Sequence, residues 1–169
     1  MKSIRINLIL FFTVTMVINN PANSQTEQMK NKFLPDSVFF KSLVTLYTQS
    51  IEMADTTLAS ELWAHTAEIS YINPEGIEYG WNGVKNIYKI LRDDFSTRKL
   101  SFFNLNFAHY DNVSWLTFNC LFDATMKANN MPVQTKGRET QIWKKTNAGW
   151  RLVHVHFSGI PVAGQDKGF

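Results

Sequence analysis

The chain has 169 residues, the length of one ordinary domain, and its 44% hydrophobic and 14% aromatic content is enough for a real core, which excludes a disordered protein. The formal charge of +3 is spread thinly, with no basic run interleaved with aromatic residues, so we expect no nucleic-acid partner. Cys120 is the single cysteine, which excludes an intramolecular disulfide, and the apolar sequence around it predicts a buried thiol.

The N-terminus has the pattern of a signal peptide, residues 1–24. Lys2 and Arg5 form a charged start, an apolar run too short to span a bilayer comfortably follows, and small residues precede the expected cleavage after Ser24. We expect export to a periplasm or beyond, with no membrane contact after cleavage. An uncleaved N-terminal anchor is the alternative.

The rest of the chain divides into a lead, one domain and a tail. Residues 25–34 are a polar, flexible lead, residues 35–162 carry the periodic patterns of a folded domain, and residues 163–169 form a C-terminal tail. No internal repeat or low-complexity tract interrupts the domain.

Helical spacing of apolar residues begins the domain. Residues 35–37 are a typical helix start, and apolar positions then recur every three or four residues up to Met53. Asp55 breaks this helix and caps a shorter one that runs through Leu62 and Trp63. We therefore expect two helices packed as a bent hairpin.

Alternating apolar and polar residues follow, which is typical of strands. Residues 67–72 and 77–79 flank a turn sequence and predict a short hairpin, and a Gly-flanked segment at 80–83 leads into a third helix from Val84 to Phe95. The remainder predicts four long antiparallel strands separated by turn sequences, at residues 100–110, 113–127, 138–146 and 149–158.

The last two strands also carry a resemblance to a known family. The run from Glu139 to Pro161, with Trp143, Trp150 and the segment His154-Val155-His156, resembles the end of the association domain of calcium/calmodulin-dependent protein kinase II. More broadly, the chain is similar to the nuclear-transport-factor-2-like (NTF2-like), or SnoaL-like, superfamily. The resemblance implies an α+β, cystatin-like cone, with three N-terminal helices packed on a curved, mainly antiparallel sheet and a pocket between them.

The kinase resemblance also implies three pocket positions. They fall on Leu121, Gln141 and Phe157, which are arginines in the kinase family, so a less charged and more apolar cavity is expected here. Because successive residues on a strand point to opposite faces, the same parity predicts further residues on the concave side. These are Asn119, Asp123, Glu139, Arg151, Val153 and Val155, with Trp150, His154 and His156 on the other face.

The first half of the domain resembles the ketosteroid isomerases of the same superfamily. Their tyrosine on the first helix, aspartate base before a proline and acid on the penultimate strand fall on Tyr47, Asn73 and Gln141. Tyr47 and Gln141 can donate hydrogen bonds, but Asn73 cannot take a proton. Asp123 and Glu139 are the candidate replacement bases, since burial would raise the pKa of either carboxyl, and ordinary structural ion pairing or solvation is the alternative for both.

Four aromatic residues with polar tips are candidates for pocket lining, although such residues also serve as core. Trp81, in its Gly-flanked segment, is a candidate lid. The four are Trp63, Tyr71, Tyr79 and Trp81.

Motifs for cofactors are missing from the sequence. It has no Gly-rich phosphate loop, paired-cysteine motif or nucleophile elbow, and two histidines two residues apart are too few ligands for zinc, so we expect neither cofactor nor metal. The sequence and the resemblance together favour an exported protein that binds a small, largely apolar molecule and self-associates as a dimer or larger oligomer. The alternatives are an isomerase, cyclase or dehydratase acting next to a carbonyl, and a module for oligomerisation only.

Overall fold

Helices and strands follow one another in the order that the sequence predicts. The structure is a computed structural model that describes residues 36–159, so the expected signal peptide, lead and tail lie outside the described residues. The elements are α1 Asp36–Met53, α2 Thr56–Leu62, β1 Ser70–Asn73, β2 Gly76–Tyr79, α3 Gly80–Asp94, β3 Phe95–Tyr110, β4 Val113–Met126, β5 Pro132–Thr146 and β6 Gly149–Gly159.

A left-handed residue and a side-chain cap join the first two helices. Ala54 has φ of 49°, which turns the chain out of α1. The Asp55 carboxylate then accepts hydrogen bonds from the backbone N–H of Thr57 at 2.8 Å and of Leu58 at 3.2 Å. These amides have no partner within a helix, so the cap fixes where α2 begins and confirms the predicted break.

The six strands form one sheet in the order β2-β1-β6-β5-β4-β3. Every neighbouring pair is antiparallel except β1 and β6, which run parallel. The three helices pack against one face of this curved, open sheet, and the core lies between them. Apolar side chains from all three helices and from the long strands fill it. The predicted α+β cone is confirmed.

A bulge in β6 changes which of its side chains reach the core. Ile142 pairs with His154, but Trp143 pairs with Leu152, so Val153 is an extra residue in its strand. Leu152 is fully buried, and the ring of Trp150 lies edge-on to Phe40 of α1 at 5.4 Å between centroids.

The bulge overturns part of the predicted parity. Trp150 lies on the helix side of the sheet and not on the outer face. Arg151 pairs with Lys144 and does not lie in the inward row that was expected, whereas Val153, the extra residue of the bulge, still packs against the core. His154 lies beside Ile142, as predicted, on the face away from the helices. Parity counted along a strand holds only as far as the first bulge.

The parity of β4 is also the reverse of the predicted one. Phe118 pairs with the buried Glu139, so even-numbered residues of β4 face the helices. Asn119 pairs with the exposed Arg138, and Asp123 with the exposed Gln134. Asn119 and Asp123 therefore lie on the outer face, and the parity expected for this strand is wrong by one residue.

Candidate functional site

Three hydrogen-bonded side chains lie in a row on the inner face of β5. Gln141 Nε2 donates to Oε1 of Glu139 at 2.8 Å, and Trp143 Nε1 donates to Oε1 of Gln141 at 2.9 Å. The residues are two apart, so their side chains share one face of the strand. Glu139 is only 3% exposed, and Gln141 and Trp143 are fully buried. A carboxyl group thus lies inside the cone with an oriented amide beside it.

Three tyrosines from three different elements face Glu139. Tyr47 comes from α1, Tyr71 from β1 and Tyr88 from α3, and the charge of Glu139 helps to raise the pKa of each. The Tyr88 hydroxyl also lies 2.8 Å from the hydroxyl of Ser50 on α1. The helices therefore supply hydroxyl groups to the same space into which β5 projects its carboxyl.

Burial dominates the protonation of these groups. It raises the pKa of Glu139 to about 7, since a carboxylate loses its solvation in the apolar cone, while the Gln141 amide and the nearby Tyr47 hydroxyl favour the ionised form. Burial also raises the pKa of Tyr47 and Tyr71, and brings that of Tyr88 to about 12. The tyrosines stay neutral donors, whereas Glu139 is present in both forms near pH 7.

Two donors of this cluster have no hydrogen-bond partner among residues 36–159. They are the Tyr47 hydroxyl and the Trp63 indole N–H. Trp63 is the residue directly after α2, and the centroid of its ring lies 6.5 Å from that of Tyr71. The Tyr47 hydroxyl is near enough to Glu139 and to Tyr71 to favour their ionised forms, and the Trp63 indole N–H is near enough to Tyr88 to do the same. Neither donor reaches full hydrogen-bond geometry with these neighbours. Both groups can therefore donate a hydrogen bond to an oxygen atom of a ligand.

Apolar side chains of β6 form the wall beside the carboxyl. Val155 pairs with Gln141 and is fully buried, and Phe157 pairs with Glu139. The ring of Phe157 occupies the space over Gly137, where an added Cβ would lie 2.0 Å from its Cε2 atom. Glycine at this position is what admits the ring next to the carboxyl.

The remaining predicted site residues lie outside this cluster. Asn73 ends β1, and its side-chain oxygen accepts from the backbone N–H of Glu75 and Gly76, both at 3.0 Å, so it forms the turn of the first hairpin. Trp81 belongs to the first turn of α3 and not to a loop, and it stacks on His65 at 4.6 Å between centroids. A ring held in a helix and stacked in this way does not fit the expected lid.

Asp123 and Asn119 are also remote from Glu139. Asp123 accepts a hydrogen bond from Gln134 Nε2 at 2.7 Å on the outer face. The candidate base on β4 is therefore separated from the cone by the sheet itself. Of the two predicted carboxylates, the structure brings only Glu139 together with Tyr47, Tyr71, Trp63 and Gln141.

Sequence reasoning missed three members of the cluster. In the sequence, Ser50 is an ordinary polar position of a helix. Tyr88 belongs to an apolar helix face, and Trp143 belongs to an apolar strand. The available signal for Tyr88 and Trp143 was the polar atom that each carries, because a buried hydroxyl or indole N–H usually has a partner. The alternation of Glu139, Gln141 and Trp143 on one strand face was a second signal.

A comparison with protein families finds that residues 40–163 of the chain match the SnoaL-like domain. The chain belongs to the SnoaL-like family. The match spans most of the sequence and begins at Phe40 in α1. A comparison with functionally curated proteins gave no match.

Solved structures agree with this assignment. An NTF2-like superfamily protein from Salmonella enterica serovar Typhimurium is 34% identical, with a TM-score of 0.71 over 76% of this chain and 93% of that one. A hexachlorocyclohexane dehydrochlorinase (LinA) of type 2 has a TM-score of 0.65 at 12% identity, over 79% of this chain and 93% of that one. At such low identity the second likeness shows the fold alone.

Depressions on the surface formed by residues 36–159 lie away from the buried cluster. One, of about 560 Å³, lies at the ends of β3, β4 and β5 beside Asp123, and another, of about 420 Å³, lies along the exposed side of α1. In the described part of the chain no three His, Cys, Asp or Glu side chains are grouped to hold a metal ion. None of the helices between residues 36 and 159 has the length and apolarity needed to cross a membrane.

Proposed function

We propose that this SnoaL-like protein binds a small, largely apolar molecule with an oxygen acceptor, such as a carbonyl, inside the cone beside Glu139. The observation that carries the proposal is the pair of buried donors, Tyr47 and Trp63, which meet no partner at full hydrogen-bond geometry among the described residues. Leaving a buried donor unpaired costs about 1–3 kcal/mol, which a ligand oxygen would recover. The aromatic and aliphatic wall suits an apolar body around that oxygen.

Access to this site requires movement of the side chains around it. Glu139 and Tyr47 are closed off from solvent by the helices that pack on the sheet. A ligand would enter where α1 and α3 meet the sheet, and it would take up space that aromatic rings now fill. Binding is therefore expected to be slower than diffusion and to stabilise the fold.

Binding of 1-indanone and of indane would test the site. The two compounds share an apolar bicyclic body, and only 1-indanone carries a carbonyl. Isothermal titration should show that Tyr47→Phe weakens 1-indanone about tenfold, the equivalent of one hydrogen bond, and leaves indane unchanged. Tyr110→Phe, which removes a hydroxyl from the outer face, is the matched control. If the wild type bound the two compounds with equal affinity, or if Tyr47→Phe weakened the binding of both equally, Tyr47 would not be a hydrogen-bond donor to the ligand.

We also propose that the protein is exported, with cleavage after Ser24, and that it self-associates through the outer face of the sheet. The charged and apolar N-terminal sequence supports export. Large apolar side chains support self-association, because none of the helices within residues 36–159 covers that face: Phe103 is 50% exposed and Trp115 is 43% exposed. Trp115 also stacks on Tyr110 at 5.2 Å between centroids.

Native mass spectrometry of the purified protein tests assembly. Trp115→Arg places a charge on this face and should reduce the mass to that of a monomer, whereas an exposed change on α1, Gln49→Arg, should leave it unchanged. An oligomer that retains no molecule, together with no binding of 1-indanone, would favour the oligomerisation module over the binding protein.

A second candidate function is proton transfer next to a carbonyl, as in an isomerase, cyclase or dehydratase. The observation that favours it is a buried carboxyl whose pKa is raised to about 7, with a tyrosine donor beside it. Glu139 would remove the proton from the carbon, the C–H electron pair would form the enolate, and Tyr47 would donate to the oxygen. The protonated Glu139 would then return its proton to carbon.

Deuterium exchange at C2 of 1-indanone in D₂O would test this step by proton NMR. The rate should rise with pH through about 7, as the carboxylate forms, and should fall to the background rate in Glu139→Gln. Asp123→Asn removes a carboxylate from the outer face and should keep the rate. Exchange that survives in Glu139→Gln would exclude Glu139 as the base.

A further inference from the structure

The orientation of the Gln141 amide is set by its neighbour on the strand. The Trp143 indole can only donate a hydrogen bond, and its N–H points at Oε1 of Gln141 at 2.9 Å. The carbonyl end of the amide therefore faces Trp143. The NH₂ end faces the other way, toward Oε1 of Glu139 at 2.8 Å.

This orientation has a consequence for Glu139. An NH₂ group donates only, so it stabilises a carboxylate, whereas a carbonyl oxygen would instead accept a hydrogen bond from the neutral carboxylic acid. The two amide orientations therefore favour opposite protonation states of the same carboxyl. Because all three side chains are buried, water does not compete for these hydrogen bonds.

We propose that Trp143 is a positioning residue that acts through Gln141, holding the amide so that the ionised form of Glu139 keeps a hydrogen-bond donor inside the cone. Trp143 itself does not contact Glu139. Its indole N–H decides which end of the amide does. The inference deepens the proposed function, since the protonation of Glu139 determines whether the site presents an acid or a base to its ligand.

Among the groups around Glu139, the Tyr47 hydroxyl also favours the ionised carboxylate, but it falls short of full hydrogen-bond geometry. The titratable side chains that face it are Tyr47 from α1, Tyr71 from β1, Tyr88 from α3 and Cys120 from β4. Burial raises the pKa of each of them, so all four are neutral near pH 7. In residues 36–159 the Gln141 amide is thus the donor that meets full hydrogen-bond geometry with Glu139.

The experiment follows the titration of Glu139 by NMR of its side-chain carboxyl carbon in ligand-free protein, assigned with Glu139→Gln. Trp143→Phe frees the amide carbonyl from its donor, so the amide can turn and accept from the protonated carboxyl. We expect the pKa of Glu139 to rise by about one pH unit, the worth of one hydrogen bond to a charged group. Gln141→Met, which removes the amide and keeps its shape, should give a similar rise.

Three comparisons make the test specific to the row of hydrogen bonds. Trp150→Phe truncates another tryptophan that packs under α1 and should not change the titration. Trp143→Phe added to Gln141→Met should change nothing further, because the indole acts only through the amide. An unchanged titration in Trp143→Phe, or an additive change in the double variant, would overturn the proposal.

A variant that preserves packing covers the case in which Trp143→Phe does not fold. Benzothienylalanine at position 143 replaces the indole N–H by sulfur at nearly the same shape, so it removes the donor without opening a cavity. It should reproduce the rise in the pKa of Glu139, and an unchanged titration would refute the role of Trp143. Since no ligand is present, a protein that fails to bind 1-indanone would refute the proposed function and leave this inference standing.

Discussion

Replacing Glu139 with glutamine is expected to change how the free energy of unfolding depends on pH. The carboxyl is buried in the cone, and its pKa rises from the ordinary value of 4.5 to about 7 on folding. Between these two values the folded protein holds a proton on Glu139 that the unfolded chain has released. Glutamine keeps the size and polarity of the side chain and removes the titration.

The sign follows from proton linkage. Because the folded state binds more protons in this interval, the unfolding free energy of the wild type falls as pH rises from 4.5 to about 7 and then levels off. At roughly 1.4 kcal/mol per pH unit, the unfolding free energy falls by about 3 kcal/mol in total, and most of this fall occurs between pH 5 and pH 8. Glu139→Gln should therefore gain about 2–3 kcal/mol relative to the wild type over that range.

Urea unfolding followed by tryptophan fluorescence at pH 5, 6, 7 and 8 would measure the difference. All other titrating groups are common to the two proteins and cancel when their curves are subtracted. Glu61→Gln, which removes an exposed carboxylate from α2, is the control and should run parallel to the wild type. Parallel curves for Glu139→Gln and the wild type would show that Glu139 is not desolvated in the folded state, and the reasoning about the site would fail.

Three further substitutions test the packing around the site by the same unfolding measurement. Gly137→Ala should cost about 2–3 kcal/mol, because its Cβ would lie 2.0 Å from the ring of Phe157, while Gly76→Ala, with nothing within 4 Å, should change little. Asp55→Ala should cost about 1 kcal/mol through loss of the α2 cap, and Asp55→Asn should retain it. Arg98→Met should cost about 2 kcal/mol, since the guanidinium donates to backbone carbonyls at the ends of α1 and α3; a loss no larger than that of an exposed arginine such as Arg92→Met would contradict this role.

The order of elements was predictable because local signals agree with the tertiary fold. Helical spacing up to Met53, the cap at Asp55 and the turn at residues 147–149 each depend on a few neighbouring residues. The third helix ends one residue earlier than predicted, at Asp94, and Phe95 instead opens β3. That strand is longer than expected because its first residues pair with the end of β4. Pairing between distant segments leaves no local pattern in the sequence.

The faces of the strands were less predictable than their positions. Parity placed Glu139, Gln141, Val155 and Phe157 correctly, because β5 is regular where it pairs with β4 and the bulge in β6 precedes His154. It failed before the bulge, at residues 150–152, and along β4. A single extra residue inverts every side chain beyond it, and neither a bulge nor a one-residue slip leaves a strong sequence signal.

The energetics of the cluster indicate that these residues serve a function and not only the packing of the core. A core built only for stability gains nothing from a carboxyl that loses about 3 kcal/mol of folding free energy above its pKa, or from a tyrosine hydroxyl and an indole N–H left unpaired. Methionine or leucine at position 139 would fill the same volume at no electrostatic cost. A ligand oxygen that pairs with the donors, and uses the proton of Glu139, would turn these costs into binding or catalysis. The same logic makes Glu139→Leu informative: a protein that is more stable and no longer binds 1-indanone would show that stability was exchanged for the site, whereas a more stable protein with unchanged binding would identify the carboxyl as incidental.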